Sequence, residues 1–175
     1  EPPLTEKVEI AIRDILLSQK EIHKNELDRK ICTLFAGSLT PETDLIETIL
    51  ETYAQPIPEN EAVYQLKKNE STSSRNDDLT EIKEMVKIIG DSFPLNVSGS
   101  EPVFWTEKNS GKILFAFYLT ETAEISKFLF EHKQVEEVHK IIVFPGSRSS
   151  LITYRLLHDA RLSLAAEERW HFLKF

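Results

Sequence analysis

The chain has 175 residues and a mass of 20.2 kDa, which is enough for one ordinary domain or two small ones. Hydrophobic residues make up 41% of it and charged residues 29%, a balance that excludes a wholly disordered protein. The 21 basic and 29 acidic residues give a net charge of −8, which argues against extensive coating of nucleic acid. No uncharged apolar run approaches the length of a membrane-spanning helix, so we expect no membrane partner.

The cysteine content and the two ends of the sequence give two further expectations. The single Cys32 excludes a disulfide framework within the chain and is typical of the reducing cytosol, so we expect a cytoplasmic location. The sequence begins with Glu1 rather than methionine and stops at Phe175 inside a predicted strand. We therefore expect the chain to be part of a longer polypeptide.

A polar stretch divides the sequence into two parts. Residues 67–78 contain no apolar side chain, which predicts a linker or a mobile loop. This stretch separates an N-terminal part, residues 1–66, from a C-terminal part, residues 79–175.

The N-terminal part is predicted to contain three helices and a hairpin. Apolar residues recur at helical spacing after the potential cap Thr5 and again over residues 22–35. Residues 40–42, Thr-Pro-Glu, combine a cap residue, a proline and an acid, and they predict the start of a third helix that ends near Ala54. Residues 62–66 alternate like a short strand. This is the order of a winged helix.

The charge of the third predicted helix bears on whether this winged helix binds DNA. A recognition helix usually offers basic or amide side chains to phosphates and base edges. The third helix instead carries only acids among its charged residues: Glu42, Asp44, Glu47 and Glu51. Because DNA phosphates repel these carboxylates, we interpret residues 1–66 as an acidic protein-interaction module.

The C-terminal part is predicted to be a small mixed α/β domain, which makes the whole chain α+β. The strand–helix–strand passage from residue 140 to residue 175 predicts a parallel crossover. The predicted order is helix (79–90), strand (102–106), strand (112–119), helix (121–131, capped by Thr120), strand (140–144), helix (to about 166) and strand (170–175).

The turn between the strand at 140–144 and the following helix is the candidate site. A helix N-terminus presents unpaired N–H groups and the positive end of the helix dipole. Residues 139–175 hold six basic and three acidic residues within an acidic chain. These features predict an anion- or phosphate-binding site, through which nucleic acid could bind, formed by Gly146, Ser147, Arg148, Ser149 and Arg155. In the alternative interpretation, Ser147 caps the helix and Arg148 is solvated.

The sequence predicts no catalytic residue, metal site or cofactor. A nucleophile elbow needs glycine on both sides of the serine, and this turn has only Gly146. The five histidines form no pair at helical spacing and have only Cys32 as a further soft ligand. Whether the chain is an enzyme stays open, and we favour the view that it is not.

Two groups of segments resemble parts of bacterial proteins of the DNA-methyltransferase type, from restriction and phage-defence systems. The first group comprises residues 4–8, 35–41 and 51–54, and the second comprises residues 142–152 and 170–175. The resemblance implies an accessory, C-terminal region of a larger DNA-modifying protein, which contacts a partner or the remainder of that protein. It supplies no catalytic residues, because the methyltransferase motifs themselves are not in this sequence.

The element order of residues 79–175 is also similar to the restriction-endonuclease-like fold. Active members place an acid on one strand and Glu-x-Lys or Asp-x-Lys on the next, where the carboxylates hold a metal ion. The predicted strand 112–119 has no such triplet, so the resemblance implies a core without an active site. Two alternatives remain open: a divergent metal-dependent nuclease that uses Glu101, Glu107 and Glu124, and a purely structural interaction domain.

Overall fold

The computed structural model describes residues 1–37, 40–131, 138–167 and 169–175. In these ranges the chain is α+β, as predicted, with seven α-helices and two β-sheets. The helices are Leu4–Ser18 (α1), Lys24–Leu34 (α2), Thr43–Tyr53 (α3), Thr72–Asp91 (α4), Ser126–Glu131 (α5), Ser149–His158 (α6) and Ala160–Ala166 (α7). The strands are Ile22–His23 (β1), Ala54–Ile57 (β2), Asn60–Leu66 (β3), Leu95–Ser98 (β4), Val103–Glu107 (β5), Ile113–Leu119 (β6), His139–Phe144 (β7) and Trp170–Lys174 (β8).

The smaller sheet is antiparallel, with β3 between β1 and β2. The sequence predicted a helix from residue 22, but Ile22 and His23 pair with β3 and the helix begins at Lys24. The His23 imidazole accepts a hydrogen bond from the Asn25 N–H and so caps α2. Helix spacing alone does not reveal a two-residue strand that depends on a partner about 40 residues away.

The larger sheet has the order β4–β5–β6–β7–β8. Its first three strands are antiparallel, and β6, β7 and β8 are parallel. The predicted parallel crossover from residue 140 to residue 175 is therefore confirmed. The sequence analysis missed β4, whose four residues alternate between half-buried and exposed at one edge of the sheet.

Each face of the larger sheet has its own core. Helix α4 covers one face, where Ile82 and Val86 pack against Val103, Phe117 and Leu119. The other face contributes to a larger core that also contains the buried side chains of α1, α3 and α6. One apolar cluster thus contains residues from both parts of the sequence. Among the described helices, none combines the length and the apolar character that crossing a bilayer requires.

The segment predicted as a linker, residues 67–78, is helical in the structure. Residues Lys68–Glu70 form a 3-10 turn, and α4 starts at Thr72. The Ser71 hydroxyl caps α4 by accepting a hydrogen bond from the Ser74 N–H. The polar composition was misleading because this segment is held by a buried charge, Glu70, rather than by apolar contacts.

Two predicted helices of the C-terminal part have different boundaries. The helix expected from residue 121 begins at Ser126, because the Thr120 hydroxyl binds within residues 120–122 and forms a local turn instead of capping a helix. The helix expected to run to residue 166 is divided into α6 and α7 at Asp159. The Asp159 carboxylate accepts from the Arg161 N–H and starts the second of the two.

Candidate functional site

The turn predicted to bind an anion has internal partners for most of its donors. The Gly146 N–H donates to the Phe175 carbonyl at 3.0 Å, and the Arg148 N–H donates to the Pro145 carbonyl at 2.8 Å. The Ser149 hydroxyl donates to the Gly146 carbonyl at 2.8 Å. These bonds form a 3-10 turn, residues Gly146–Arg148, that leads from β7 into α6 and ties the end of β8 to it.

Arg148 is buried beneath this turn, with 2% of its surface exposed. Its two terminal nitrogens bind the two carboxylate oxygens of Glu70 at 2.8 and 2.6 Å. Its Nε donates to the Glu121 carbonyl at 3.0 Å, and its guanidinium carbon lies 4.4 Å from the centre of the Tyr53 ring. This bidentate pair has the geometry of a strong charge-assisted hydrogen bond. The interpretation in which Ser147 caps α6 and Arg148 is solvated is therefore wrong, since no side chain caps α6.

Arg155 is completely buried and lies about two helical turns after Arg148, in α6. Its Nη2 donates to the Glu9 carboxylate and, at 3.1 Å, to the Thr5 carbonyl of α1. Its Nη1 donates to the Ala123 carbonyl. Arg155 thus joins three elements: α6, α1 and the loop before α5.

Glu9 is the acceptor at the centre of this cluster, and it too is completely buried. Besides Arg155, it accepts from the Tyr53 hydroxyl and from the Ala123 N–H at 3.3 Å. Burial, and then the negative charge of Glu9, raise the pKa of Tyr53 well above its ordinary value. The Tyr53 hydroxyl therefore stays protonated at neutral pH and remains a donor to Glu9.

Glu6 extends the cluster along α1. Its carboxylate accepts from the Ser126 N–H at 2.8 Å and from the Ser126 hydroxyl at 2.5 Å, which holds the start of α5 against α1. Burial raises the pKa of Glu6 above its ordinary value, although the bonds from Ser126 and the charge of Arg155 act in the opposite direction.

We call the set Glu6, Glu9, Tyr53, Glu70, Arg148 and Arg155 the buried charge cluster. Its two arginines were among the predicted site residues, and its three acids were not. A signal for Glu9 was present, because it lies three and seven residues before Ile12 and Leu16 and shares their face of α1. A carboxylate on a buried face needs a cation, and the arginines of α6 provide it.

The chemistry available to this cluster is structural. The charges are paired at hydrogen-bond distance and nearly all of the cluster is shielded from water. An arginine remains protonated in a protein, so neither arginine is a candidate general base. Anion binding at residues 146–149 with Arg155 stays a prediction, and the described contacts give Arg148 and Arg155 internal carboxylates as partners.

The three carboxylates of the nuclease alternative do not come together. Glu101 precedes β5 and Glu107 ends it, so a strand about 13 Å long separates them. Glu107 binds the hydroxyl of Ser110 in the next turn, and Glu124 pairs with Arg13 at 2.5 Å. The described residues contain no group of three His, Cys, Asp or Glu side chains that could hold a metal ion.

Two histidines that the sequence analysis left unpaired are neighbours in the sheet. His139 on β7 and His171 on β8 are exposed, and their ring nitrogens lie 3.2 Å apart. The His139 ring also stacks on Phe115, with ring centres 5.6 Å apart. Only the parallel pairing of β7 with β8 brings these imidazoles together, so no spacing in the sequence could have indicated the contact.

Comparison with known proteins adds no family to this geometry. No protein-family model matches the chain, and no curated protein matches it.

The pair between Glu70 and Arg148 gives a first prediction. Arg148→Met alone leaves a buried carboxylate without its cation, so we expect the free energy of unfolding to fall by about 3–5 kcal/mol. The double variant Glu70→Leu, Arg148→Met removes both charges, and we expect it to be more stable than Arg148→Met.

Urea unfolding measures Arg148→Met, Glu70→Leu and the double variant. Arg161→Met, which removes an exposed arginine from its pair with Asp159, is the control and should leave the midpoint nearly unchanged. A double variant that is as unstable as the sum of its two single variants would contradict a coupled buried pair.

The raised pKa of Glu6 gives a second prediction. Between the ordinary carboxyl pKa, 4.5, and the raised value of the folded state, the folded chain binds more protons than the unfolded chain. The free energy of unfolding contributed by Glu6 therefore falls as the pH rises through this window. We expect wild type to lose stability relative to Glu6→Gln from pH 4.5 upward.

Unfolding measured at a series of pH values from 4.5 to 7 tests this sign, starting from the ordinary carboxyl pKa. Glu81→Gln, which changes an exposed acid of α4, is the control. A stability difference between wild type and Glu6→Gln that is constant with pH, or that moves in wild type's favour, would show that the Glu6 pKa is not raised.

Proposed function

We propose that the chain is a non-catalytic accessory module of a larger bacterial DNA-modifying or defence protein, located in the cytoplasm. In this proposal the module contacts a protein partner or the remainder of that larger protein. One observation carries the proposal: the arginines predicted to form a site instead bind α6 to α1, and the turn after β7 to the 3-10 turn before α4. A module built in this way is a rigid body suited to holding other parts in place.

The topology of residues 4–66 supports a winged helix within this module. The order is helix, strand, helix, helix, strand, strand, and the last strand lies in the centre of the sheet. The predicted third helix corresponds to α3, which is the recognition helix in DNA-binding winged helices.

The surface of α3 supports a protein partner rather than DNA. Its exposed face carries Asp44, Glu47 and Glu51, and Glu42 is exposed just before it. Glu47 has a basic neighbour, Lys24 of α2, whose ammonium group donates to it. Glu47 and Glu51 lie one helical turn apart, so they present two charges to the same partner. A basic protein surface is the complementary partner for this face.

The strand order of the larger sheet supports the relation to a nuclease core without an active site. Three antiparallel strands, a helix and a parallel strand follow one another, as in the restriction-endonuclease-like fold. The acid and the Glu-x-Lys triplet of active members would lie on β5 and β6. There Val103 is opposite Phe117, and all seven residues of β6 are uncharged. Apolar packing beneath α4 occupies this position.

A cleavage assay and a binding assay together test the proposal. We expect no cleavage of plasmid DNA by the chain, with or without magnesium, because β5 and β6 bring no carboxylates together. We expect the full-length protein, isolated from its host, to carry a DNA-modifying enzyme as its partner or its remaining part. The double variant Glu47→Gln, Glu51→Gln should weaken a contact with a separate partner by about tenfold, since it removes two charges from one face.

A matched control keeps the charge change and moves it elsewhere. Glu59→Gln with Glu61→Gln removes two exposed acids, one in the turn between β2 and β3 and one at the start of β3, and should leave the partner bound. Magnesium-dependent cleavage that Glu107→Gln abolishes would replace the proposal with the nuclease alternative. Recovery of a partner unrelated to DNA modification would favour the purely structural alternative.

A further inference from the structure

Arg75 differs from the buried Arg148 and Arg155 because no carboxylate of the described residues lies at ion-pair distance from it. It lies in the first turns of α4 with 5% of its surface exposed. Its Nε is completely shielded and makes no hydrogen bond. Among the described residues, no carboxylate oxygen lies within 4.0 Å of its guanidinium group. By contrast, Arg13, Arg148 and Arg155 each have a carboxylate within that distance.

An unpaired buried guanidinium is unfavourable for folding. Burial removes water from the charge, and arginine does not escape the penalty by losing its proton. Proteins pair such charges or use them to bind an ion of opposite sign. An external anion would supply the opposite charge that the buried guanidinium of Arg75 needs.

The place of Arg75 in the fold fits such a ligand. It continues the inward stripe of α4 formed by Leu79, Ile82 and Val86, but lies at the N-terminal end of that stripe. Helical side chains lean toward the N-terminus of their helix, where the dipole is positive. Arg75 itself is the fourth residue of a 20-residue helix, where the helix dipole favours an anion.

A second positive charge lies beside Arg75. Burial lowers the pKa of Arg75, and the positive charge of Arg13, which itself pairs with Glu124, lowers it further. The Arg13 Nε is also buried without a hydrogen-bond partner. The acids that face Arg75 are Glu121 and Glu70, and Glu70 is already bound to Arg148 by two hydrogen bonds.

We propose that Arg75, with Arg13 beside it, binds a phosphate-type anion at the N-terminus of α4. The planar guanidinium donates two parallel hydrogen bonds to a phosphate, which a lysine at the same place does not do. The phosphate comes either from a small molecule or from a nucleic-acid backbone, and the chemistry of recognition is the same. This inference goes beyond the accessory role and does not depend on it.

Thermal unfolding with added inorganic phosphate tests the site. We expect the melting temperature of wild type to rise with phosphate in a saturable manner, compared with sodium chloride at the same ionic strength. Arg75→Met should melt higher than wild type without phosphate, because it removes an unpaired charge, and should show no phosphate response. Arg29→Met, which changes an exposed arginine of α2, should keep the response.

A conservative variant and a DNA titration complete the experiment. Arg75→Lys keeps the positive charge but loses the planar guanidinium with its two parallel donors. We therefore expect a weaker phosphate response than in wild type. A labelled DNA duplex identifies the source of the phosphate: binding that weakens with salt and falls at least tenfold in Arg75→Met indicates a nucleic-acid backbone. A phosphate response without DNA binding indicates a small anion.

Three results would overturn the proposal. The first is that wild type responds to neither phosphate nor DNA. The second is that Arg75→Met keeps the phosphate response. The third is that Arg75→Met melts at a lower temperature than wild type in phosphate-free buffer. None of these results bears on the cleavage and partner assays, so a failure of this site is distinguishable from a failure of the accessory role.

Discussion

Two buried ion pairs hold the described parts of this chain together. Arg155 of α6 binds Glu9 of α1 across 146 residues of sequence, and Arg148 binds Glu70 across 78. Charges removed from water in this way are unfavourable unless each finds its partner, so the pairs allow only a narrow range of arrangements. The position of the loop before α5 follows from this constraint. The Ala123 N–H of this loop donates to Glu9, and the Ala123 carbonyl accepts from Arg155.

Much of the fold was predictable because apolar spacing is a local property of a sequence. The three N-terminal helices, the strands β5 to β8 and the parallel pairing of β7 with β8 all follow from it. The helical state of residues 68–78 was not predictable in this way, since Glu70 is held by an arginine far along the chain. For the same reason Arg148 and Arg155 were predicted to bind an external anion, whereas their partners in the structure are the carboxylates of Glu70 and Glu9.

The polar residues between β7 and α6 have a structural role in this fold. A glycine, two serines and an arginine after a buried strand are typical of an anion site, yet in this fold they close a turn and carry a buried pair. Arg75, whose buried Nε makes no hydrogen bond, lies in the segment whose composition indicated a linker. The accessory role and the phosphate site therefore rest on different residues. We propose that the acidic face of α3 binds a protein and that the start of α4 binds an anion.

The central claim is that the buried pairs make the N-terminal helices and the larger sheet one cooperative unit, and urea unfolding with two probes tests it most directly. Trp105 packs against the core beneath α4 and Trp170 lies in the core shared with α1 and α3, so a variant that keeps only Trp105 gives a fluorescence probe of the larger sheet. Amide hydrogen exchange of α1 to α3 reports on the helices. We predict that both probes change at the same urea concentration. Loss of protection in α1 to α3 at a lower concentration than the fluorescence change would contradict the claim.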